Sequence, residues 1–270
     1  QIFNNQDWAY YLLSQIFVIS SFFVVWKLSE DFFKQKILCL ISVLLLEGIY
    51  LYNFTTPEFN VNICQLPFWT LTVFFCWQSL KNDKILNWVL LGIFAALGFL
   101  SKYLFLYLIL GIKLFFLYKI FKEKKFNIRY LIPGIVFLIL IIPHIMWLSE
   151  NNYSTIFYGI TRSDLNNINL FNHIYNPLTF IVKQIGILIP FLFMSFCLIE
   201  NRLIKFNIKD KKLIFLIFIN ISPLLLILLT SILTGAKIRT MWMTPFYLFF
   251  GLFIIYIFQK NINVKKLQKF

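Results

Sequence analysis

Lys102, Lys237 and Arg239 each stand beside long apolar runs, where an unneutralised charge is costly. In PHIMWLSENNY (143–153), His144, Trp147 and Glu150 recur at i, i+3 and i+6, near one face of a helix. The stretch NFTTPEFNVN (53–62) adds Glu58, Asn60 and Asn62, and the connection 150–176 adds Tyr158, Arg162, Asp164 and His173. Lysine and arginine neutralise phosphate, aromatic faces stack on sugar rings, and carboxylates activate a hydroxyl or orient a metal. Together these residue types suit a lipid-borne substrate that contains phosphate.

Structural readings stand beside the chemical ones. Lys102 could cap a helix hairpin at headgroup level, and Trp147 and Trp242 could belong to an interfacial aromatic belt. Asn60 and Asn62 also fit turn and cap positions around Pro57, and His144 could satisfy itself on a backbone carbonyl. At the level of sequence both sets of readings remain open.

The elements that would position these residues follow from composition. Sixty per cent of the 270 residues are hydrophobic, a fifth are aromatic and only 13% are charged, so a water-soluble domain is excluded. Apolar stretches near the membrane-crossing length recur along the chain, without the short alternating strands of a barrel. The expected architecture is an all-α transmembrane bundle, one domain over 1–270. Its nine expected segments are 8–28, 37–53, 62–80, 86–101, 103–119, 130–149, 177–199, 213–234 and 239–259. The fourth ends at Ser101 and only Lys102 separates it from the fifth, a tight reversal. Cys39, Cys64, Cys76 and Cys197 lie in apolar stretches with no CxxC pair, and read as small buried hydrophobes.

The net charge of +14 is distributed as in a membrane protein and not as in a nucleic-acid binder. Alternate loops (27–36, 81–84, 119–129, 201–212 and the tail 260–270) hold 19 of the 25 Lys and Arg. The positive-inside rule makes them cytoplasmic, with the C-terminus, and puts Lys102, Arg162, Lys183, Lys237 and Arg239 in the outer half. The expected setting is the cytoplasmic (inner) membrane, with the site on its outer side and no obligate protein partner. The chain begins at Gln1 without an initiating Met or signal-peptide pattern, and reads as part of a longer protein.

The order YNFTTPEFNVNICQLPFWTLTVFF, NWVLLGIFAALGFLSKYLF, IPHIMWLSENNYSTIFYG resembles the bacterial form of the dolichyl-phosphate-mannose-protein mannosyltransferase family, within the GT-C superfamily of membrane glycosyltransferases. The resemblance continues through NPLTFIVKQIGILIP and IRTMWMTPF. It implies an inverting transfer of a sugar from a polyprenyl-phosphate donor to a lipid, glycan or protein acceptor. It also implies basic residues on the donor phosphate, a carboxylate in the first outer loop that acts as base or orients the acceptor, and in some members a divalent cation. The family's GLSKY-like stretch falls on Gly98–Tyr103 and its PHxxW-like stretch on Pro143, His144 and Trp147. Two departures matter: the acidic loop is expected upstream of Gln1, which leaves Glu58 as its stand-in, and Asn60 or Asn62 stands where the family often has Asp.

The expected donor-phosphate residues are therefore Lys102, Tyr103, Lys237 and Arg239, and the expected substrate contacts Asn60, Asn62, His144, Trp147 and Glu150. Two other classes compete. A transporter or flippase for an anionic lipid or metabolite would also gather cations, but along a full crossing path and often in two related halves. A purely structural membrane subunit would not need His144, Glu150 and Lys237 on one side.

Overall fold

The computed structural model describes residues 6–165, 169–200, 207 and 209–262. Among them the chain is helical, with no strand beyond one isolated bridge between Ile199 and Ile262. The order begins with α1 (Asp7–Phe32), α2 (Lys36–Leu44), α3 (Tyr50–Asn53), α4 (Val61–Asn82) and α5 (Ile85–Ser101). It continues with α6 (Leu106–Glu123), α7 (Ile132–Glu150), α8 (Ser154–Arg162), α9 (Asn172–Leu198), α10 (Lys211–Thr234) and α11 (Phe250–Phe258). Short 3₁₀ stretches at Leu45–Gly48, Tyr103–Phe105, Ile128–Leu131 and Thr240–Tyr247 link them. The basic stretch 201–206, Ile208 and the tail from 263 lie outside the described residues.

All nine apolar stretches are helical, but they are not equal as membrane spans. Five helices are long and apolar enough to cross, or six if the pair bent by 48° at residues 248–249 counts as one. The stretch 37–53, expected as one segment, breaks into α2, a 3₁₀ turn and the single turn of α3, at a place where α9 packs against it. Helix α4 carries Asn62, Gln65, Gln78, Lys81 and Asn82, which lower its hydropathy, and α5 has only 17 residues.

Side-chain caps set several helix starts. The Asn60 side chain accepts the N–H groups of Asn62 and Ile63 at the start of α4, and Asp210 does the same for Lys212 and Leu213 at the start of α10. Gly235 closes α10 in the left-handed conformation that glycine adopts without a Cβ penalty. The core runs around α4, which packs on α1, α5 and the Thr240–Tyr247 stretch. Fully buried Trp69 sits there with ring centroids 5.3 Å from Phe105 and 4.9 Å from Phe246.

Loops sort to two ends of the bundle. At the first end, Ser14 donates to the Thr56 carbonyl, and the 53–60 loop, the 101–103 reversal, α8 and 235–242 gather there. At the second, Asp31 takes Lys81 at 2.6 Å and Gln78 at 2.8 Å, Arg129 meets Asp83 at 2.7 Å and Tyr256 donates to Asp210. Among the described residues, the basic loops 27–36, 81–84 and 119–129 and the start of α10 thus share one end, and the residues singled out from sequence share the other.

Candidate functional site

The sharp reversal after α5 places Lys102. Ser101 Oγ and the Lys102 N–H both return to the Gly98 carbonyl, and Lys102 itself is extended (φ −165°, ψ 131°). A Cβ on Gly98 would run into the Phe105 ring, so glycine there lets the two strokes of the reversal close. In the first turn of α4, buried Asn62 accepts a hydrogen bond from Lys102 Nζ through its amide oxygen. The same ammonium lies 5.3 Å from the Trp242 ring centroid. Both partners are uncharged, so the positive charge is held but not neutralised.

Tyr103, the next residue, orders the opposite wall. Its hydroxyl is 2.8 Å from His144 Nε2 and 2.6 Å from Thr155 Oγ1, which ties the α5–α6 reversal to α7 and α8. His144 in turn stacks on Trp147, with centroids 5.8 Å apart and planes 14° apart. Helix α7 continues through Pro143, then Asn152 and Tyr153 in left-handed conformations turn the chain into α8. That short helix brings Arg162 to the site, its guanidinium 5.9 Å from the Tyr158 ring one turn earlier.

Between these elements lies a cavity of about 590 Å³. Lys102, Arg162, Tyr103, His144, Asn62 and Trp242 supply its polar and aromatic lining; Leu100, Leu104, Ile156, Ile160 and Met241 supply much of the rest. None of the described residues lining it is acidic. Burial, with the Arg162 charge nearby, pulls the Lys102 ammonium down to about 7, since both penalise its protonated form. Chemically, two cations beside an apolar wall and without a carboxylate partner among the described lining residues suit an anion attached to a hydrocarbon.

The expected residues divide into three groups. Lys102, Tyr103, His144 and Asn62 line the cavity. Lys237 and Arg239 do not; they brace the end of α8. The Lys237 N–H donates to the Ser163 carbonyl, its ammonium pairs with Asp164 at 3.2 Å, and Arg239 Nε donates to the Arg162 carbonyl at 3.2 Å. Trp147 backs His144 from outside the lining, Asn60 has its amide engaged locally as a cap, and Glu58 and Glu150 are exposed away from the cavity.

Sequence reasoning missed Arg162, Thr155 and Trp242 as parts of one site. Arg162 was legible as an outer cation, but nothing in its neighbours says that α8 folds back over the reversal at Lys102. For a divalent cation the lining offers two positive side chains and no carboxylate, a poor donor set. Among the described residues no three His, Cys, Asp or Glu side chains cluster as metal ligands.

A family model described as dolichyl-phosphate-mannose-protein mannosyltransferase matches residues 1–147. The match takes in Asn62, Lys102, Tyr103, His144 and Trp147; α8 and the 235–242 wall lie beyond it. No curated protein and no solved structure matches the chain.

Proposed function

For this chain, which belongs to the dolichyl-phosphate-mannose-protein mannosyltransferase family, we propose that the cavity holds the phosphate of a polyprenyl-phosphate-linked sugar during transfer of that sugar to an acceptor. Membership brings a mannosyltransferase-type glycosyltransferase in a multi-pass membrane setting. The donor, the sidedness and the residue roles are our reading. The observation that carries it is the pairing of Lys102 and Arg162 in one cavity with no acidic lining residue.

The chemistry follows from the leaving group. As the glycosidic C–O bond breaks, negative charge grows on the phosphate oxygens. Cations already fixed beside that oxygen stabilise the developing charge more than the ground state, which lowers the barrier. Lys102 donates from a position held by Asn62 and Trp242, and Arg162 approaches from α8. The apolar wall of Leu100, Leu104, Ile156 and Ile160 receives the first isoprene units. Tyr103, between His144 and Thr155, offers a hydroxyl to the phosphate or the sugar. The lining contains no carboxylate to act as base, so the cavity is the donor half of the site.

In this reading the basic end of the bundle faces the cytoplasm and the cavity opens on the outer side of the cytoplasmic membrane. The test is sugar transfer in membranes containing the protein and a radiolabelled polyprenyl-phosphate sugar. Lys102→Ala and Arg162→Ala are each expected to lower the rate by about a hundredfold, the usual scale for removing one electrostatic stabiliser. Unchanged transfer in both variants, at equal amounts of folded protein, would overturn the assignment.

A further inference from the structure

At the opposite end of the bundle, α4, α6 and α10 enclose a second groove of about 410 Å³ that the proposed transfer does not use. Its floor is apolar and aromatic: Trp77 and Leu80 from α4, Phe115 and Tyr118 from α6, Ile214 from α10. Its rim carries four lysines, Lys81, Lys119, Lys122 and Lys211, against the single carboxylate of Glu123.

The lysines are incompletely neutralised. Lys81 has its own partner in Asp31 at 2.6 Å. Glu123 is shared loosely between Lys119 at 3.9 Å and Lys211 at 3.6 Å. Lys122 pairs with no carboxylate among the described residues; its ammonium touches only the Tyr118 hydroxyl, at 3.0 Å, and lies 5.4 Å from that ring centroid. Deeper in the groove, the buried Trp77 indole N–H has no acceptor among the described residues. Here α4 and α6 present their C-terminal ends, whose dipoles repel anions, while α10 presents its N-terminal end, where the Asp210 side chain already accepts the Lys212 and Leu213 N–H groups, so the lysine side chains supply the main attraction.

Position narrows the occupant. The four lysines lie near the C-terminal ends of α4 and α6 and in the first turn of α10, and the groove beneath them is hydrocarbon-like; the ends of membrane-crossing helices are where chain meets lipid headgroup. A basic rim over an apolar floor between membrane helices matches an anionic headgroup whose acyl chains run along the protein. We propose that this groove binds an anionic glycerophospholipid, with its phosphate among Lys119, Lys122 and Lys211 and the start of one acyl chain against Trp77, Phe115 and Ile214.

The experiment uses the full chain in a neutral detergent, with phosphatidylglycerol, phosphatidylcholine or free glycerol 3-phosphate added. Binding is read from the thermal unfolding midpoint and from tryptophan quenching by brominated acyl chains. Phosphatidylglycerol is expected to raise the midpoint and to quench, while the other two additives do neither at matched concentration. Affinity is expected to fall about fivefold for each lysine replaced, so roughly a hundredfold for K119Q/K122Q/K211Q. Trp77→Phe is expected to remove the anionic-lipid-specific part of the quenching. Lys122→Gln, which removes no ion pair, gives the single-step loss if the triple variant folds poorly. Equal shifts with phosphatidylcholine, an equal shift with glycerol 3-phosphate, or undiminished binding by K122Q would each overturn the proposal. Sugar transfer is not a readout, so the result stands apart from the fate of the outer cavity.

Discussion

Donor binding should depend on pH through Lys102, in a direction and size set by the structure. With no anion bound, its ammonium loses its proton near 7, because burial and the Arg162 charge both work against it. A donor phosphate beside it would favour the charged form and raise that value again. Lys102 is therefore mostly charged at pH 6 and mostly neutral at pH 8 before the donor arrives, and binding at the higher pH must draw a proton from solution. Affinity is then fully present below about 7 and is lost as pH rises through that value. Linkage gives about a tenfold weaker apparent Kd at pH 8 than at pH 6, and about a hundredfold at pH 9.

The measurement is equilibrium binding of a polyprenyl-phosphate sugar between pH 6 and 9. This donor is a phosphodiester and keeps a single negative charge over that range, so the slope belongs to the protein. Lys102→Arg, which stays charged throughout, is expected to flatten the profile, and Lys102→Met to bind weakly at every pH. A flat wild-type profile, or one whose slope survives in Lys102→Arg, would refute the argument that Lys102 faces the donor anion.

Two further substitutions separate scaffold from site. Asn60→Ala removes the α4 cap and is expected to cost about 1 kcal/mol of stability while sparing transfer at saturating donor; Asn62→Ala frees Lys102 and is expected to lower transfer at least tenfold, as thermal unfolding and the transfer assay would show together. Gly251→Ala drives a methyl into the Ser42 carbonyl where α11 crosses α2, and an overpacking loss of about 1–3 kcal/mol is expected in the unfolding midpoint of purified protein.

Much of the helical layout was legible because apolar run length and loop charge are local signals. The reversal at Ser101–Lys102 and the sorting of the described basic loops to one end follow from them. The second stretch was not legible as a broken element, since its apolar run continues through Glu47 and Gly48 and the break comes from α9 packing across it. In the site, Lys102 and His144 stood out because a titratable group inside an apolar run is costly to place and seldom lacks a task. Asn60 and Asn62, two residues apart in a single loop, could not be told apart: one turns back to cap its own helix, the other reaches a lysine forty residues away. Lys237 and Arg239 announce a charge, but their backbone partners at Ser163 and Arg162 depend on where α8 lies.

The surroundings of Lys102 support the proposed reading over that of a simple cap. A lysine that only caps a helix hairpin needs carbonyl oxygens or open headgroup solvent, and another cation close by would make the cap worse. Lys102 has instead an amide oxygen, an indole face and the field of Arg162, in a cavity without a carboxylate. Each cation raises the free energy of the other as long as the space between them lacks negative charge. An anion bound there removes both penalties at once, which makes this arrangement unfavourable as a structural cap and favourable as a phosphate receptor. A charged isoprenoid phosphate meets both halves of that requirement, with its anion between the cations and its chain on the wall of Leu100, Leu104 and Ile156.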